Sequence, residues 1–336
     1  MSEPDSAAWR AAAGAPAPRP EYPAPVPDVA PGVSSDGPTQ SADELFVVPE
    51  PERPAGGISL SSSPAIRLRN GRDPQPAPLT SHGPARVVAV CNQKGGVGKT
   101  TSVINLGAAL AEYGRRVLLV DLDPQGALSA GLGVASHELE HTVYDLMLNR
   151  NTAITDVLMP TSVENLDLIP ANIDLSAAEV QLINEVGREN TLGRALRPVL
   201  HAYDYVLIDC QPSLGLLTVN ALACAQGVIM PLAAEFFSLR GVALLVDTIG
   251  KVQDRINPDL VIDGVLVTMY DGRTVHAKDV VGMLIQRFGE QVYDVMISRT
   301  VKFPETTVAG EPITTYAPSS PAAEAYRTLA REVIAR

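Results

Sequence analysis

Residues 94–101 read Lys94-Gly95-Gly96-Val97-Gly98-Lys99-Thr100-Thr101, three glycines set among two lysines and two threonines. Glycines at this density let a backbone wrap closely around an anion and point its N–H groups inward. A helix pattern opens at Lys99, so the partial positive charge of a helix N-terminus gathers at the same place. Lys99 is spaced to reach the outer phosphates of a nucleoside triphosphate, and the Thr100 hydroxyl to hold Mg²⁺. Gly95, Gly96, Val97, Gly98 and Thr101 complete the cradle. The G-x-x-x-x-G-K-T pattern is met except at its first glycine, where Gln93 stands.

Acidic groups occur where such a loop needs them. Tyr205-Val206-Leu207-Ile208-Asp209 is an apolar run ending in an acid, placed to hold Mg²⁺ through a water. Asp121-Leu122-Asp123-Pro124-Gln125-Gly126 follows a second apolar run, Val117 to Val120.

The elements that must position these groups alternate. Apolar runs at Val87–Cys91, Val117–Val120, Leu166–Ile169, Tyr205–Ile208, Val228–Pro231 and Val261–Thr268 read as strands. Helical spacing lies between them, at Lys99–Tyr113, Ser176–Val186, Leu239–Ile256 and Val275–Phe288. Fully apolar strands alternating with helices predict an α/β fold, a mostly parallel twisted sheet with helices on both faces. The last segment, Pro321 to Arg336, is amphipathic through Tyr326, Leu329, Ala330 and Val333, and is expected to dock on the core.

Composition divides the chain at about residue 85. Of 28 prolines, 17 precede Ala85, with one Phe, two Ile and one Trp. Residues 1–85 therefore read as a disordered Pro/Ala-rich arm, because ordering them would bury too little apolar surface. The short Asp43-Glu44-Leu45-Phe46-Val47-Val48 cluster interrupts it. Residues 86–336 form the folded domain. The net charge of -12 disfavours attraction of the whole molecule to DNA or anionic lipid, so such binding needs a local basic patch. Cys91, Cys210 and Cys224 have neither metal nor disulfide spacing and suit a reducing cytosol. No run of 18 apolar residues and no signal-peptide stretch occurs, so a cytoplasmic protein without a membrane partner is expected.

With its extra lysine, the Lys94–Thr101 segment resembles the deviant Walker A loop of the ParA/MinD family. Asp121–Gly126 resembles that family's first switch, DxDPQGN, with Ala127 in place of Asn. Asp209 to Gly215 resembles Walker B and the second switch, DxPPSLG, with Gln211 for the first proline. The likeness spans roughly Arg86 to Arg336 and takes in Arg188-Glu189, Leu217–Leu222, Pro231–Gly241 and Gly264–Asp271, which look like chromosomal ParA.

The resemblance implies a P-loop ATPase using ATP and Mg²⁺ with weak basal turnover. It implies catalytic roles for Lys94, Lys99 and Asp123. Lys94 reaches the partner's nucleotide across an ATP-dependent homodimer, and Asp123 assists the attacking water. Thr100, Asp123 and Asp209 serve the metal. The loop after Asp209 senses the γ phosphate and collapses on hydrolysis. Ser298 and Thr300 stand at nucleotide positions where the family has Pro and Asn. Arg273 and Arg299, with Lys302, stand at positions implicated in non-specific DNA binding. A ParB-like centromere-binding partner and nucleoid association follow from the same likeness. The main alternative is an orphan ParA that positions another cargo or regulates replication or chromosome compaction. Nitrogenase iron-protein relatives want bridging cysteines, and a MinD-like protein wants a basic amphipathic tail. Neither pattern is present.

Overall fold

The computed structural model describes residues 75–234 and 238–336. Expectations for the N-terminal arm before residue 75, including the Asp43–Val48 cluster, lie outside the described residues. Strands β1 (Arg86–Val90), β2 (Val117–Leu122), β3 (Met159–Pro160), β4 (Leu166–Ile169), β5 (Tyr205–Cys210), β6 (Gly227–Ala233) and β7 (Val261–Thr268) build one sheet. Its order is β3-β4-β2-β5-β1-β6-β7. All pairings are parallel except that of β3, which runs antiparallel to β4 at the edge. Pro160 is tolerated there because an edge strand can spare an N–H. The six strands expected from apolar runs are all present; β3 was too short to show a pattern.

Between the strands lie α1 (Lys99–Glu112), α2 (Ala127–Gly131), α3 (Val143–Leu148), α4 (Ile154–Val157), α5 (Leu175–Gln181) and α6 (Thr191–Leu196). They continue as α7 (Leu216–Cys224), α8 (Ser238–Arg255), α9 (Val275–Phe288), α10 (Lys302–Ala309), α11 (Ile313–Tyr316) and α12 (Pro321–Ala335). Alternating side chains of each strand feed two cores. Val88, Val90, Leu119 and Leu207 pack with α1 and α12, whose Leu106, Leu110, Tyr326 and Leu329 are fully buried. Val87, Ala89, Leu118 and Ile208 pack on the other face with Leu217 of α7, Leu245 of α8 and Leu284 of α9. Such two-sided burial is why the strands read as continuous apolar runs rather than alternating ones. The expected docking of the last helix is present.

The expected boundary at residue 85 falls inside a bound stretch. Ala85 N donates to Leu200 O at 2.7 Å, and Gly83 N to Asp204 Oδ1 at 3.0 Å. His82 Nδ1 lies 2.8 Å from Asp204 Oδ2, and Arg115 donates to Ala77 O at 2.9 Å. These ties are polar, so apolar composition gave no sign of them.

Candidate functional site

The phosphate loop leaves the C-terminal end of central strand β1, the edge where open α/β sheets bind ligands. Asn92, almost fully buried, fixes its first residues: Nδ2 donates to Pro231 O of β6 at 2.7 Å, and Oδ1 accepts from Lys94 N at 2.9 Å. Thr268, at the end of β7, donates from Oγ1 to Val97 O at 2.8 Å. Gly96 and Gly98 have φ of 72° and 85°, a left-handed backbone that an L side chain resists. Gly98 is the N-cap of α1 and makes no side-chain cap, so the first N–H groups of that helix remain for an anion. Lys99 is buried, and its Nζ donates to Lys94 O at 3.2 Å. Thr100 and Thr101 open α1 half-buried beside it. Lys94 is half-buried, and Gly95 and Gly96 are exposed.

Strand register brings the acids to this loop. Asp209 pairs with Val90 on one side and Asp121 on the other. Both carboxylates are fully buried. Asp121 is well satisfied: Oδ2 accepts from Ser129 N at 2.9 Å and Ser129 Oγ at 2.7 Å, and Oδ1 from Asp123 N at 3.2 Å. Burial pushes it up to about 7, against the pull of the Ser129 hydrogen bonds. It anchors the loop rather than facing a ligand. Asp123, two residues on, is half-exposed, and its Oδ1 accepts from Gln125 N at 3.0 Å. Ala127, the departure from the family pattern, becomes the first residue of α2.

Asp209 is different. Neither of its carboxylate oxygens is met in full hydrogen-bond geometry, and the Thr100 hydroxyl is the one polar neighbour close enough to act as a donor to it. Burial, and then the Asp121 carboxylate, push its pKa well above the usual range, while Thr100 and Lys99 pull the other way. An unpartnered buried carboxylate is costly unless a cation or donor meets it. Among the described residues no cluster of three or more His, Cys, Asp or Glu side chains could hold a metal by itself. The donor set, an acid and a hydroxyl beside a phosphate cradle, suits Mg²⁺, which takes few protein ligands and completes its shell with phosphate and water. The residues fit a Mg²⁺–nucleoside triphosphate.

A cleft of about 660 Å³ opens beside the loop, lined by Gly98, Thr101, Met269, Ser298, Arg299 and Thr300 among others. Ser298 and Thr300 thus share one cleft wall with Gly98 and Thr101 of the loop. Met269 holds φ 51°, a strained conformation for such a side chain, and sits in the cleft wall. Arg299 lines this cleft as well. Tyr270 bridges to Ser298, and its N donates to Ile297 O at 3.0 Å, which brings the Arg273 loop beside the Arg299 segment. The Arg273 side chain is 90% exposed, yet Asp271 grips it through two bonds of 2.8 and 2.7 Å. That pairing holds the Asp271 carboxyl down at about 2. Lys302 opens α10, half-buried.

Sequence spacing did not reveal that Cys91 and Cys210 are neighbours. Adjacent strands β1 and β5 place their sulfurs 2.9 Å apart as free, buried thiols. Asn92, Thr268 and Ser129 were also missed, since each acts through a contact made with a distant part of the chain.

Fold and site together define a nucleotide-binding protein of the P-loop class. The family described as "AAA domain" matches residues 85–262. The chain is 64% identical over 280 residues to an uncharacterized protein of Mycobacterium tuberculosis, covering 83% of this chain and 86% of that one. It is 46% identical over 250 residues to the sporulation initiation inhibitor protein Soj of Bacillus subtilis, covering 74% and 98%. A solved structure from Mycobacterium smegmatis, described as cobyrinic acid a,c-diamide synthase with bound ATP analog and magnesium, is 43% identical. It covers 73% of this chain and 93% of that one, with a TM-score of 0.62. The chain belongs to the ParA/Soj family of P-loop ATPases.

Proposed function

We propose that this protein is a Mg²⁺-dependent ATPase switch that dimerises on ATP, binds DNA without sequence preference and takes part in chromosome partitioning. The observation carrying the ATPase part of the reading is the Asp209 carboxylate, fully buried beside Thr100, Lys99 and Asp121 at the rim of the glycine cradle, and the likeness to chromosome-partitioning relatives supports the rest. Loop N–H groups and the α1 N-terminus bind the phosphates. Lys99 gives up its bond to Lys94 O to neutralise the outer phosphates. Mg²⁺, held by Thr100 and through water by Asp209 and Asp123, would supply further neutralisation of developing charge. Asp123 orients the attacking water. The Ser298–Thr300 wall receives the nucleoside, and turnover is weak until a ParB-like partner stimulates it. No described helix is long and apolar enough to cross a membrane. Our reading is a cytoplasmic, nucleoid-associated protein.

Lys94 is assigned to the partner subunit's nucleotide, which makes ATP binding and dimerisation one event. Lys94→Ala is expected to stay monomeric in light scattering with a non-hydrolysable ATP analogue and Mg²⁺, where wild type doubles its mass. A dimeric Lys94→Ala variant, or a monomeric wild type, would remove the shared-lysine mechanism.

Arg273, Arg299 and Lys302 are assigned to DNA. Each phosphate they neutralise adds about -0.9 to the slope of log affinity against log salt. Retention of ATP-loaded wild type on DNA should fall steeply with salt, and Arg273→Glu/Arg299→Glu should abolish it. Equal retention by both proteins would exclude this surface. A second reading, the orphan ParA that positions another cargo or regulates replication or compaction, is favoured by one contact. Asp271 already occupies the Arg273 fork, so a phosphate must displace a carboxylate there. Wild type that hydrolyses ATP as a dimer yet ignores DNA would select that reading.

A further inference from the structure

Helix α5 carries a carboxylate that no motif accounts for. Glu179 Oε1 accepts from Gln211 Nε2 at 3.0 Å and from Leu217 N at 3.4 Å. Gln211 opens the loop after Asp209, and Leu217 lies in the first turn of α7, which closes it. A single oxygen therefore ties both ends of that loop to a neighbouring helix. Two details make the tie specific. The N-cap of α7, Gly215, offers no side-chain cap, so Glu179 supplies from outside a negative charge that the helix N-terminus lacks. A Cβ at Gly215 would fall on Glu179 Oε1, so a larger residue there would push the carboxylate aside. Inside the loop, Thr218 Oγ1 donates to Ser213 O at 2.6 Å and Gly215 N donates to Ser213 Oγ at 3.3 Å. A side chain at Gly95 of the phosphate loop would begin 4.0 Å from Pro212 Cβ, so the two loops run side by side. Gln211, a departure from the family pattern, has here a definite partner.

We propose that Glu179 is a positioning residue that sets the conformation in which the Gln211–Gly215 loop senses the terminal phosphate. The inference rests on the ATPase reading above and assigns it a residue outside the nucleotide cradle. Without the tie, the loop samples more conformations, and the free energy of ordering it falls on the triphosphate alone. Diphosphate binding makes no demand on the loop and is unaffected.

The test measures affinity for a fluorescent non-hydrolysable ATP analogue and for the matching ADP analogue, with kcat and KM for ATP. Glu179→Ala should lose about tenfold in triphosphate affinity, the size expected for a hydrogen bond to a charged acceptor. Diphosphate affinity should stay unchanged, and kcat should fall along with the triphosphate affinity. Glu179→Gln, which keeps an acceptor oxygen but not the charge, should recover part of the loss. If Glu179→Ala does not fold, Gln211→Ala cuts the same link from the loop side and should show the same selective defect. Equal losses for both analogues, or none in either alanine variant, would overturn the proposal while the ATPase reading stood. Wild type unable to tell the two analogues apart, with no ATP turnover, would overturn both.

Discussion

Asp123→Ala is expected to lower kcat for ATP by about 10²–10⁴, the usual worth of a positioned acid or base, while leaving the ATP-dependent dimer intact. The geometry allows the two effects to separate. Asp123 is half-exposed, and its side chain accepts a bond from Gln125 N in its own turn. The loop that carries it is held by a different residue. Asp121 takes three hydrogen bonds, from Asp123 N, Ser129 N and Ser129 Oγ, and Ser129 Oγ in turn accepts from Ala171 N at 3.1 Å. Removing the Asp123 carboxylate therefore removes chemistry without releasing the backbone. Single-turnover hydrolysis and light scattering on the same preparation check this. A variant that turns over normally would show that the attacking water is handled elsewhere, and one that loses the dimer would show that Asp123 organises the interface.

Asp209→Asn should act in opposite directions on the empty and the loaded protein. In the empty protein the buried carboxylate has no cation to balance it beyond the nearby Lys99 and only the Thr100 hydroxyl as a polar neighbour, and the amide removes its charge. The amide is itself a buried polar group, so the substitution relieves only the extra cost that a charge carries over a neutral group; each kcal/mol relieved moves the melting temperature by roughly 2–4 °C in a domain of this size. The empty variant should therefore melt above wild type. Because folding raises the pKa of Asp209, the protonated form favours the folded state. That stability is fully present below the unfolded value of 3.8 and is lost as pH rises through the folded one. The gap between variant and wild type should open above pH 3.8 and level off on the alkaline side. With a non-hydrolysable ATP analogue and Mg²⁺ the order should reverse, since wild type alone gains the metal-dependent stabilisation. Calorimetric melts across pH, with and without the loaded nucleotide, measure both arms. A variant less stable than wild type when empty would mean that Asp209 is satisfied in solution, contrary to its surroundings here.

The glycine cradle, its lysine and both strand-end aspartates were legible because they act locally. Main-chain N–H groups at a helix N-terminus, and an acid at the end of an apolar run, need only the next few residues to be placed. The six strands with apolar signatures were legible for a related reason, since strands buried on two faces leave a continuous apolar run. Less was readable where partners come from far along the chain. Glu179 on α5 meets Gln211 and Leu217 only after both helices pack, and nothing in its neighbourhood marks it. Asp204 gathers His82 and Gly83 across more than a hundred residues. The pairing of Arg273 with Asp271 spans only two residues, yet spacing alone could not say that the side chain turns back on its own loop.

Chemical type was thus settled by the sequence: a phosphate cradle, a cation in reach and carboxylates at strand ends, all dictated by backbone geometry over a few residues. The tertiary structure decided which carboxylate is spent on the fold and which faces a ligand. Asp121 and Asp209 both end apolar runs, and parallel pairing of β2 with β5 sets them opposite one another. Ser129, brought round by α2, then satisfies one and leaves the other bare. Burial without a partner raises a carboxylate's free energy, and that is what gives Asp209 its demand for a cation.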